Sequence, residues 1–382
     1  MRGPMLDVFV YSSSHPGAGV CLANGELQNM MWNTCLAFLV VCAAASGATA
    51  QDHRPLWSEY AAMMPRMTPG TWHLHDPSAI VTLNGWQVVV VTGKENAEGY
   101  RCGLESWRRA DDASPWQPHL CLFRDKPAWI ADELPDNDGA FWAPDLAMDG
   151  TLVYSVANGF EETGSCVGAA RWDGTGWRDI GAPLTCAFEP DPSREVEAID
   201  PGLFDEGGRL WLITGGGLIH ATELDRQTLM PVSGDWWAPG HPGWHDLAIG
   251  PGPADDPEWV EAARLHRSDG WVYLVVNWGG CCDGLASTYE LRIGRARGVE
   301  GPFLDREGRD MRDGGGSLLM AGRGAQIGPG HAAFRHRDDG AVVMSYHFYD
   351  VERDGLPWIG EVLLAWQDGW PVVTRRLPPL RP

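Results

Sequence analysis

The chain has no stretch with the long, regular helical periodicity that an α-helical fold requires. It has instead 48 glycines and 28 prolines, which separate short runs of Val, Ile, Leu and Trp. A pattern of many turns between short apolar runs is typical of all-β folds. The 382 residues are 44% hydrophobic and 21% charged, a globular composition that allows one large or two ordinary domains.

Positive charge is also scarce, because 29 Lys and Arg face 51 Asp and Glu, giving a formal net charge of −22. This balance argues against nucleic acid or an anionic membrane surface as a partner. A neutral polymer remains compatible with it. The chain is rich in tryptophan, with 20 residues. Tryptophan fills cores, but it also binds flat apolar faces, including those of sugar rings.

Long hydrophobic runs are missing as well. The most apolar segment, "CLAFLVVCAAASGATA", falls short of the about 18–20 residues that a membrane span needs. An apolar core followed by small residues is typical of an export leader. We therefore predict a leader over residues 1–50 with cleavage near Ala50-Gln51, and a mature single domain over residues 51–382. The protein is then secreted, to the extracellular space or the periplasm, and does not associate with the membrane once the leader is removed.

Six cysteines remain after the leader, and an even number in an exported chain favours disulfides. They are Cys102, Cys121, Cys166, Cys186, Cys281 and Cys282. Cys102 with Cys121, and Cys166 with Cys186, are plausible local pairs, but spacing alone leaves the connectivity open. The neighbours Cys281 and Cys282 form either a vicinal disulfide or two thiols. No C-x-x-C or His/Cys spacing supports a zinc site.

A strand–turn–strand pattern recurs five times along the chain. The residues at the head of each repeat lie 58 to 70 residues apart, and a turn glycine follows each head after 8 or 9 residues. The heads are Asp76, Trp142, Asp200, Glu261 and His331. Five repeats of this length, each a run of short strands, predict a five-bladed β-propeller that forms one domain.

The innermost strands of a propeller run parallel around its axis, so the five heads are expected to meet at one mouth. Clustered carboxylates in a concave site shift each other's pKa, which separates acid and base roles. Paired carboxylates with aromatic side chains suggest glycoside hydrolysis. Asp76 and Glu261 belong to blades that are not adjacent, so we expect them about 6.5–9.5 Å apart, the spacing of an inverting enzyme.

The motifs at these heads resemble a known family. "HDPSAI", "FWAPDL", "AIDPGLF" and "VEAA" are similar to the successive motifs of glycoside hydrolase family 43, whose members are five-bladed propellers. The stretch from "NWGGCCDG" to "GPGH", followed by "YHFYD", resembles the members that are endo-1,5-α-L-arabinanases. The resemblance implies a secreted, inverting hydrolase that cleaves α-1,5-linked L-arabinan internally.

The same resemblance implies roles for the heads. Asp76 corresponds to the general base, Glu261 to the general acid, and Asp200 to the carboxylate that raises the pKa of the acid and orients it. His331 corresponds to the histidine that, with waters, holds a metal ion, as a rule calcium, in the central channel. No organic cofactor is implied.

Further residues have supporting roles by this resemblance. Trp142 is expected to form a platform near the cleaved bond, and Asn277 and Tyr289 are expected to line the groove. Asp145 is expected to position its loop, and His347 and Asp350 to make hydrogen bonds between strands. The partner is a polysaccharide, arabinan or a related pentosan, and the enzyme is expected to be a monomer.

Two departures from the family pattern change loops, and only the second of them bears on substrate choice. Ala263 replaces a usual proline, and Thr214-Gly215-Gly216-Gly217 replaces a loop that usually carries an aromatic side chain. Two alternatives therefore stand beside the endo-arabinanase. One is an exo-arabinanase, α-L-arabinofuranosidase or β-xylosidase-like member, and the other is a propeller that binds glycan without cleaving it.

Overall fold

Five antiparallel sheets follow one another along the chain in this computed structural model. It describes residues 74–93, 102–137, 139, 141–158, 164–188, 197–234, 241–252 and 258–379, all within one compact unit, Asp52–Pro382. The predicted leader lies outside these residues and stays a prediction. No helix in the described ranges has the length and apolar character to cross a membrane.

Each sheet is one blade of a propeller, and its strands pair in sequence order. The first blade contains β1 (Val81–Leu83), β2 (Trp86–Thr92), β3 (Leu104–Arg109) and β4 (Gln117–Leu122). The second contains β5 (Phe141–Leu146), β6 (Leu152–Ala157), β7 (Ser165–Trp172), β8 (Trp177–Asp179) and β9 (Thr185–Ala187), which pairs with β7. The third contains β10 (Gly202–Glu206), β11 (Arg209–Thr214), β12 (Leu218–Leu224) and β13 (Trp244–Ile249).

The fourth blade contains β14 (Val260–Ser268), β15 (Trp271–Trp278), β16 (Glu290–Ala296) and β17 (Ser317–Met320). The fifth contains β18 (Gln326–His336), β19 (Val342–Asp350), β20 (Leu356–Gln367) and β21 (Trp370–Arg376). The helical segments of the described residues are short: α1 (Ala128–Glu133) and three 3-10 helices, Gly284–Ala286, Met311–Asp313 and Val351–Arg353.

The second strand of each blade is the most apolar, because both of its faces are covered by neighbouring blades. All six residues of β6 and all nine of β19 are buried. The buried side chains form clusters between consecutive blades, including one between the first and second blades and one between the third and fourth. The core therefore lies between the blades, and the axis is left for polar side chains.

Contacts between the first and fifth blades close the ring. The Leu74 amide donates to the Pro357 carbonyl at 3.0 Å. The indoles of Trp107 and Trp358 meet edge to face with centroids 6.3 Å apart. Strand β3 also contributes the buried Arg109, which binds Glu361 of β20 at 2.7 Å. The prediction of a five-bladed β-propeller is confirmed.

Several tryptophans are used for packing. Arg295 lies between the rings of Trp271 and Trp370, with its guanidinium 4.2 and 4.4 Å from the two centroids. Arg297 covers Trp271 at 3.5 Å. Such cation–π contacts hold arginine against an aromatic face without a carboxylate. These indoles join the fourth blade to the fifth and are not available to a sugar.

The cysteines pair locally. Cys102 is bonded to Cys121 and Cys166 to Cys186, as the spacing suggested, and Cys281 is bonded to its neighbour Cys282. The first two disulfides tie strands within the first and second blades. The vicinal pair lies between β15 and β16, in the blade that carries Glu261.

Candidate active site

Every blade has one residue with a left-handed backbone in its innermost strand or shortly before it. These residues are Asp76 (φ 49°), Ala143 (φ 40°), Asp200 (φ 53°), Ala262 (φ 58°) and His331 (φ 55°). Left-handed conformations are uncommon outside glycine and cluster at functional sites. Their fivefold repetition marks the ring where the blades meet at the mouth.

Two of the five predicted heads differ from this ring by one residue. In the first, third and fifth blades the predicted head is itself the left-handed residue. In the second and fourth blades an alanine takes that conformation, and the predicted heads Trp142 and Glu261 precede it. The five predicted heads are therefore not equivalent positions, because the side chains of consecutive residues on a strand point in different directions.

A ring of hydrogen bonds joins the blades at these left-handed residues. In four of them the backbone N–H donates to a side chain on the second strand of the preceding blade. The bonds are Ala143 to Thr92 Oγ1 (3.0 Å), Asp200 to Ser155 Oγ (3.4 Å), His331 to Asn277 Oδ1 (3.0 Å) and Asp76 to His347 Nδ1 (3.3 Å). The last bond links the fifth blade to the first and closes the ring.

Asp200 makes the fifth connection. The Ala262 N–H donates to Asp200 Oδ2 at 3.1 Å. The equivalent second-strand residue, Thr214, is engaged elsewhere, since its hydroxyl donates to the Ile199 carbonyl at 2.6 Å. The Asp200 carboxylate is thus fixed against the backbone of the residue that follows Glu261.

Asn277 was predicted to line the groove, but its side chain is fully buried. Its Oδ1 accepts the His331 N–H, and its Nδ2 donates to the carbonyls of Pro329 (3.1 Å) and Glu290 (3.3 Å). The amide is therefore used between the fourth and fifth blades and has no face for a ligand. Its role is to hold His331.

Asp76 lies among three imidazoles. Its Oδ2 is 2.8 Å from His75 Nδ1 and accepts the Thr92 hydroxyl at 2.6 Å. Its Oδ1 is 3.1 Å from His331 Nδ1 and 3.3 Å from His347 Nδ1. Burial by itself raises the pKa of Asp76, but His75 and then His331 outweigh it and lower this pKa well below its usual value. Asp76 is therefore ionised.

His347 holds this group together in its neutral form. Burial lowers the pKa of His347 to about 3, so the ring can accept the Asp76 N–H at Nδ1. Its ring stacks on His75 with centroids 4.0 Å apart. His75 Nε2 is 2.7 Å from the Tyr349 hydroxyl, which also accepts the Cys282 N–H at 2.8 Å. The vicinal disulfide is thereby connected to the surroundings of Asp76.

Glu261 has the opposite electrostatic environment. The Trp259 indole N–H donates to Oε2 at 2.7 Å, and the Tyr289 hydroxyl donates to Oε1. Burial and then the Asp200 carboxylate raise the pKa of Glu261 well above its usual value, against the Trp259 hydrogen bond, which lowers it. Glu261 therefore holds a proton to a higher pH than an ordinary carboxyl.

Asp200 interacts electrostatically with both Asp76 and Glu261. Burial raises its pKa, and the Asp76 charge raises it further, while His331 and Arg264 oppose the change. His331 Nε2 is 4.0 Å from Asp200 Oδ1, so this imidazole lies between Asp200 and Asp76.

The remaining predicted residues lie nearby. Trp142 is partly exposed, and its carbonyl accepts the Ser155 hydroxyl at 3.2 Å. Tyr289 is 3% exposed and reaches the site through its hydroxyl on Glu261. Asp145 accepts the N–H groups of Ala79 (3.0 Å) and Leu203 (2.8 Å), which links the first three blades.

Sequence reasoning missed His75, Thr92 and Trp259, which contact the carboxylates, and Tyr349, which binds His75. His75 and Trp259 had a local signal, since each is a large polar or aromatic residue within two positions of a predicted carboxylate. Thr92 had only its place at the end of an apolar strand, and Tyr349 only its place in the motif "YHFYD".

Comparison with known proteins identifies the family to which this arrangement of residues belongs. The family model of "Glycosyl hydrolases family 43" matches residues 69–371. An extracellular endo-α-(1→5)-L-arabinanase of Bacillus subtilis is 31% identical over 307 residues, which cover 78% of this chain and 87% of that protein. An extracellular exo-α-(1→5)-L-arabinofuranosidase of Cellvibrio japonicus is 27% identical over 90% of this chain and 92% of its own.

A solved structure agrees with these sequence matches. The α-L-arabinanase of Cellvibrio cellulosa, complexed with arabinohexaose, superposes with a TM-score of 0.67 at 27% identity, over 80% of this chain and 96% of its own. The family model covers most of the chain, and it includes the first four blades and all but the end of the fifth. This chain is a glycoside hydrolase and belongs to glycosyl hydrolases family 43.

Proposed function

We propose that the enzyme cleaves α-1,5-linked L-arabinan internally, by inversion, with Asp76 as general base and Glu261 as general acid. The observation that carries this proposal is the opposite shift of two carboxyl pKa values at one mouth. The pKa of Asp76 is well below its usual value and that of Glu261 is well above. Two carboxyl groups separated in this way take the acid and base assignments in glycosidases.

The reaction needs one proton removed and one donated. Asp76 accepts a proton from a water as that water forms its bond to the anomeric carbon. The bond from that carbon to the glycosidic oxygen breaks on the opposite face, and Glu261 donates its proton to the departing oxygen. Product release leaves Asp76 protonated and Glu261 ionised, and exchange with solvent restores both groups. The anomeric configuration is inverted because attack and departure occur on opposite faces.

Asp200 acts on Glu261 in this scheme without reacting. Its negative charge favours the protonated form of the acid, and its hydrogen bond with the Ala262 N–H holds the strand next to Glu261. Trp142 is partly exposed and supplies the apolar face for a sugar ring. Both roles agree with those implied by the sequence motifs.

A calcium ion at His331 remains a proposal. His331 Nε2 is buried without a hydrogen-bond partner, and it is 4.0 Å from Asp200 Oδ1. A cation held by this nitrogen and completed by waters fits the donor set, although calcium prefers oxygen ligands. Its chemistry would be to stabilise the cluster of negative carboxylates. Calcium should raise the melting temperature of the wild type and not of the His331→Ala variant, and equal effects on both proteins would refute the site.

We also propose secretion and action as a monomer. Two relatives are named as extracellular enzymes, and the apolar leader over residues 1–50 supports the same location. Sequencing the amino terminus of the exported protein tests the cleavage near Gln51, and light scattering tests the monomer.

Hydrolysis of linear, debranched arabinan with product sizing tests the function, with arabinoxylan and galactan as comparison substrates. Glu261→Ala and Asp76→Ala should each lower activity by about 10²-fold or more. Asp339→Asn is a control, because Asp339 is an exposed carboxylate on the β18–β19 turn. Full activity of Glu261→Ala would refute the acid assignment, and activity on another polymer alone would refute arabinan as the substrate.

Exo action is the second candidate, because an exo-acting relative matches 90% of this chain. An endo enzyme releases a range of oligosaccharides early in the reaction, whereas an exo enzyme releases one short product throughout. The early product profile separates the two. Proton NMR of the first product, before mutarotation, tests inversion in either case.

A further inference from the structure

The indole of Trp259 and the bare backbone of Gly216 form a contact that the proposed mechanism does not use. A Cβ added at Gly216 would lie 2.5 Å from Cζ2 of Trp259 and 2.8 Å from Cδ1 of Ile199. A separation of 2.5 Å is well inside van der Waals contact. The indole therefore occupies the space where a side chain at position 216 would be.

The backbone around Gly216 cannot easily move away. Gly216 pairs with Glu197 in both directions, with N···O distances of 3.0 and 3.1 Å. The next residue, Gly217, donates to the Val260 carbonyl at 2.9 Å, immediately between Trp259 and Glu261. This segment is thus held on two sides, and it supports the strand that carries the acid.

We propose that Trp259 is a positioning residue for Glu261, and that Gly216 is the seat that places its indole. The inference rests on the proposed function of Glu261 as the acid. The indole N–H donates to Glu261 Oε2 at 2.7 Å. An indole nitrogen donates but does not accept, so Oε2 has to be the acceptor. The proton of the neutral carboxyl is then assigned to Oε1, and in this form the Tyr289 hydroxyl, which donates to Oε1 of the carboxylate, has to accept instead.

This hydrogen bond also sets how readily the proton leaves. A donor to a carboxylate favours its ionised form, which offsets the raised pKa that burial and Asp200 impose. The acid can then release its proton to the departing oxygen. The titratable groups that face Glu261 are the carboxylates of Asp200, Asp76 and Glu197 and the phenols of Tyr289 and Tyr349.

The first test reads the hydrogen bond without any turnover. With ¹⁵N-labelled tryptophan, the Nε1–H signal of Trp259 is identified by its loss in Trp259→Phe. We expect this signal to move with pH as Glu261 titrates, and to stay still in Glu261→Gln. A Trp259 signal that does not respond to pH, or that responds equally in Glu261→Gln, overturns the proposal. An enzyme that shows the titration but does not cleave arabinan would refute the proposed function and not this contact.

The second test reads the pH profile. In Trp259→Phe the alkaline limb of kcat should move up by about one pH unit, because a hydrogen bond that favours the carboxylate is lost. We expect kcat at neutral pH to fall about tenfold with KM nearly unchanged, since the acid loses its orientation. Trp177→Phe is the matched control. The indole N–H of Trp177, on β8 of the second blade, also donates a hydrogen bond, but to the Gly150 carbonyl at 2.9 Å and not to a carboxylate. A raised KM with an unmoved alkaline limb would make Trp259 a sugar platform instead.

Gly216→Ala tests the seat with a single methyl group. Its Cβ should displace the indole and move the alkaline limb in the same direction as Trp259→Phe. Gly298→Ala is its control, because a Cβ there meets nothing within 4 Å. The double variant should show little more than the effect of Trp259→Phe alone, since both changes act through one contact. Fully additive shifts, or a Gly216→Ala profile identical to Gly298→Ala, would refute the seat; melting temperatures establish that each variant is folded.

Discussion

Replacing Asp200 with asparagine isolates the charge that acts on the acid. The side-chain amide keeps an oxygen that can accept the Ala262 N–H, which Asp200 Oδ2 binds at 3.1 Å. The hydrogen bond between the third and fourth blades is thereby preserved, while the negative charge that raises the pKa of Glu261 is removed. Asp200→Ala, which loses both, is the comparison.

The size of the effect follows from the placement of the two groups. Asp200 binds the residue next to Glu261. Two unit charges about 7 Å apart at an effective dielectric of about 20 interact with about 2.4 kcal/mol, which we take as the upper end of the effect. Because Glu261 is partly exposed, solvent screening reduces this value. We expect the pKa of Glu261 to fall by about one unit in Asp200→Asn.

The assay is kcat/KM on linear arabinan across the pH range. Glu261 must be protonated to act, so activity is lost as pH rises through its pKa, and a lower pKa moves the alkaline limb to lower pH. Trp259→Phe is expected to move the same limb upward. An alkaline limb that is unchanged or raised in a folded Asp200→Asn enzyme would refute the electrostatic role of Asp200.

Three further predictions concern stability. Glu261→Gln should raise the melting temperature relative to the wild type, and by more as the pH rises above ~4.5. Because the pKa of Glu261 is raised in the folded state, ionising it in the folded protein costs stability, and glutamine avoids this cost. A variant that melts at the same temperature as the wild type at alkaline pH would contradict the raised pKa. Glu361→Ala should lower the free energy of unfolding in urea by about 3 kcal/mol, because it removes the carboxylate that the buried Arg109 binds at the closure of the ring, and a loss near zero would mean that this pair does not close it. Replacing both Cys102 and Cys121 with serine should cost about 3 kcal/mol, since their disulfide closes a loop with a sequence separation of 19, and an unchanged urea midpoint would show that the bond does not form.

The fold was predictable because its signal is repeated. Each blade carries an apolar second strand, a turn glycine and a polar head, and five copies of such a pattern leave few alternatives. The exact residue that takes the left-handed conformation in each blade was not predictable from the sequence. Trp142 and Glu261 are more conspicuous in sequence than Ala143 and Ala262, yet the alanines are the residues that take the left-handed conformation. An alanine side chain gives no sequence signal for a left-handed backbone.

The candidate site was likewise predictable only in part. The three carboxylates were recognised from motifs that are local in sequence. Their partners were not, because those contacts form across the ring. His347 binds the Asp76 backbone over a separation of 271 residues, and Tyr349 lies 274 residues from His75. The burial of Asn277 was hidden for the same reason, since its amide is used by the next blade.

Closure of the propeller and the chemistry of the base depend on one set of atoms. The first blade meets the last where His347 accepts the Asp76 N–H, and this same imidazole lies 3.3 Å from the Asp76 carboxylate. His331, also on the fifth blade, supplies a further contact to that carboxylate. Without the fifth blade, burial would remain a reason for a raised pKa and His331 would no longer oppose it, which would leave His75 of the first blade as the opposing imidazole. The low pKa of the base therefore depends on His75 within its own blade and on His331, which ring closure brings to the carboxylate.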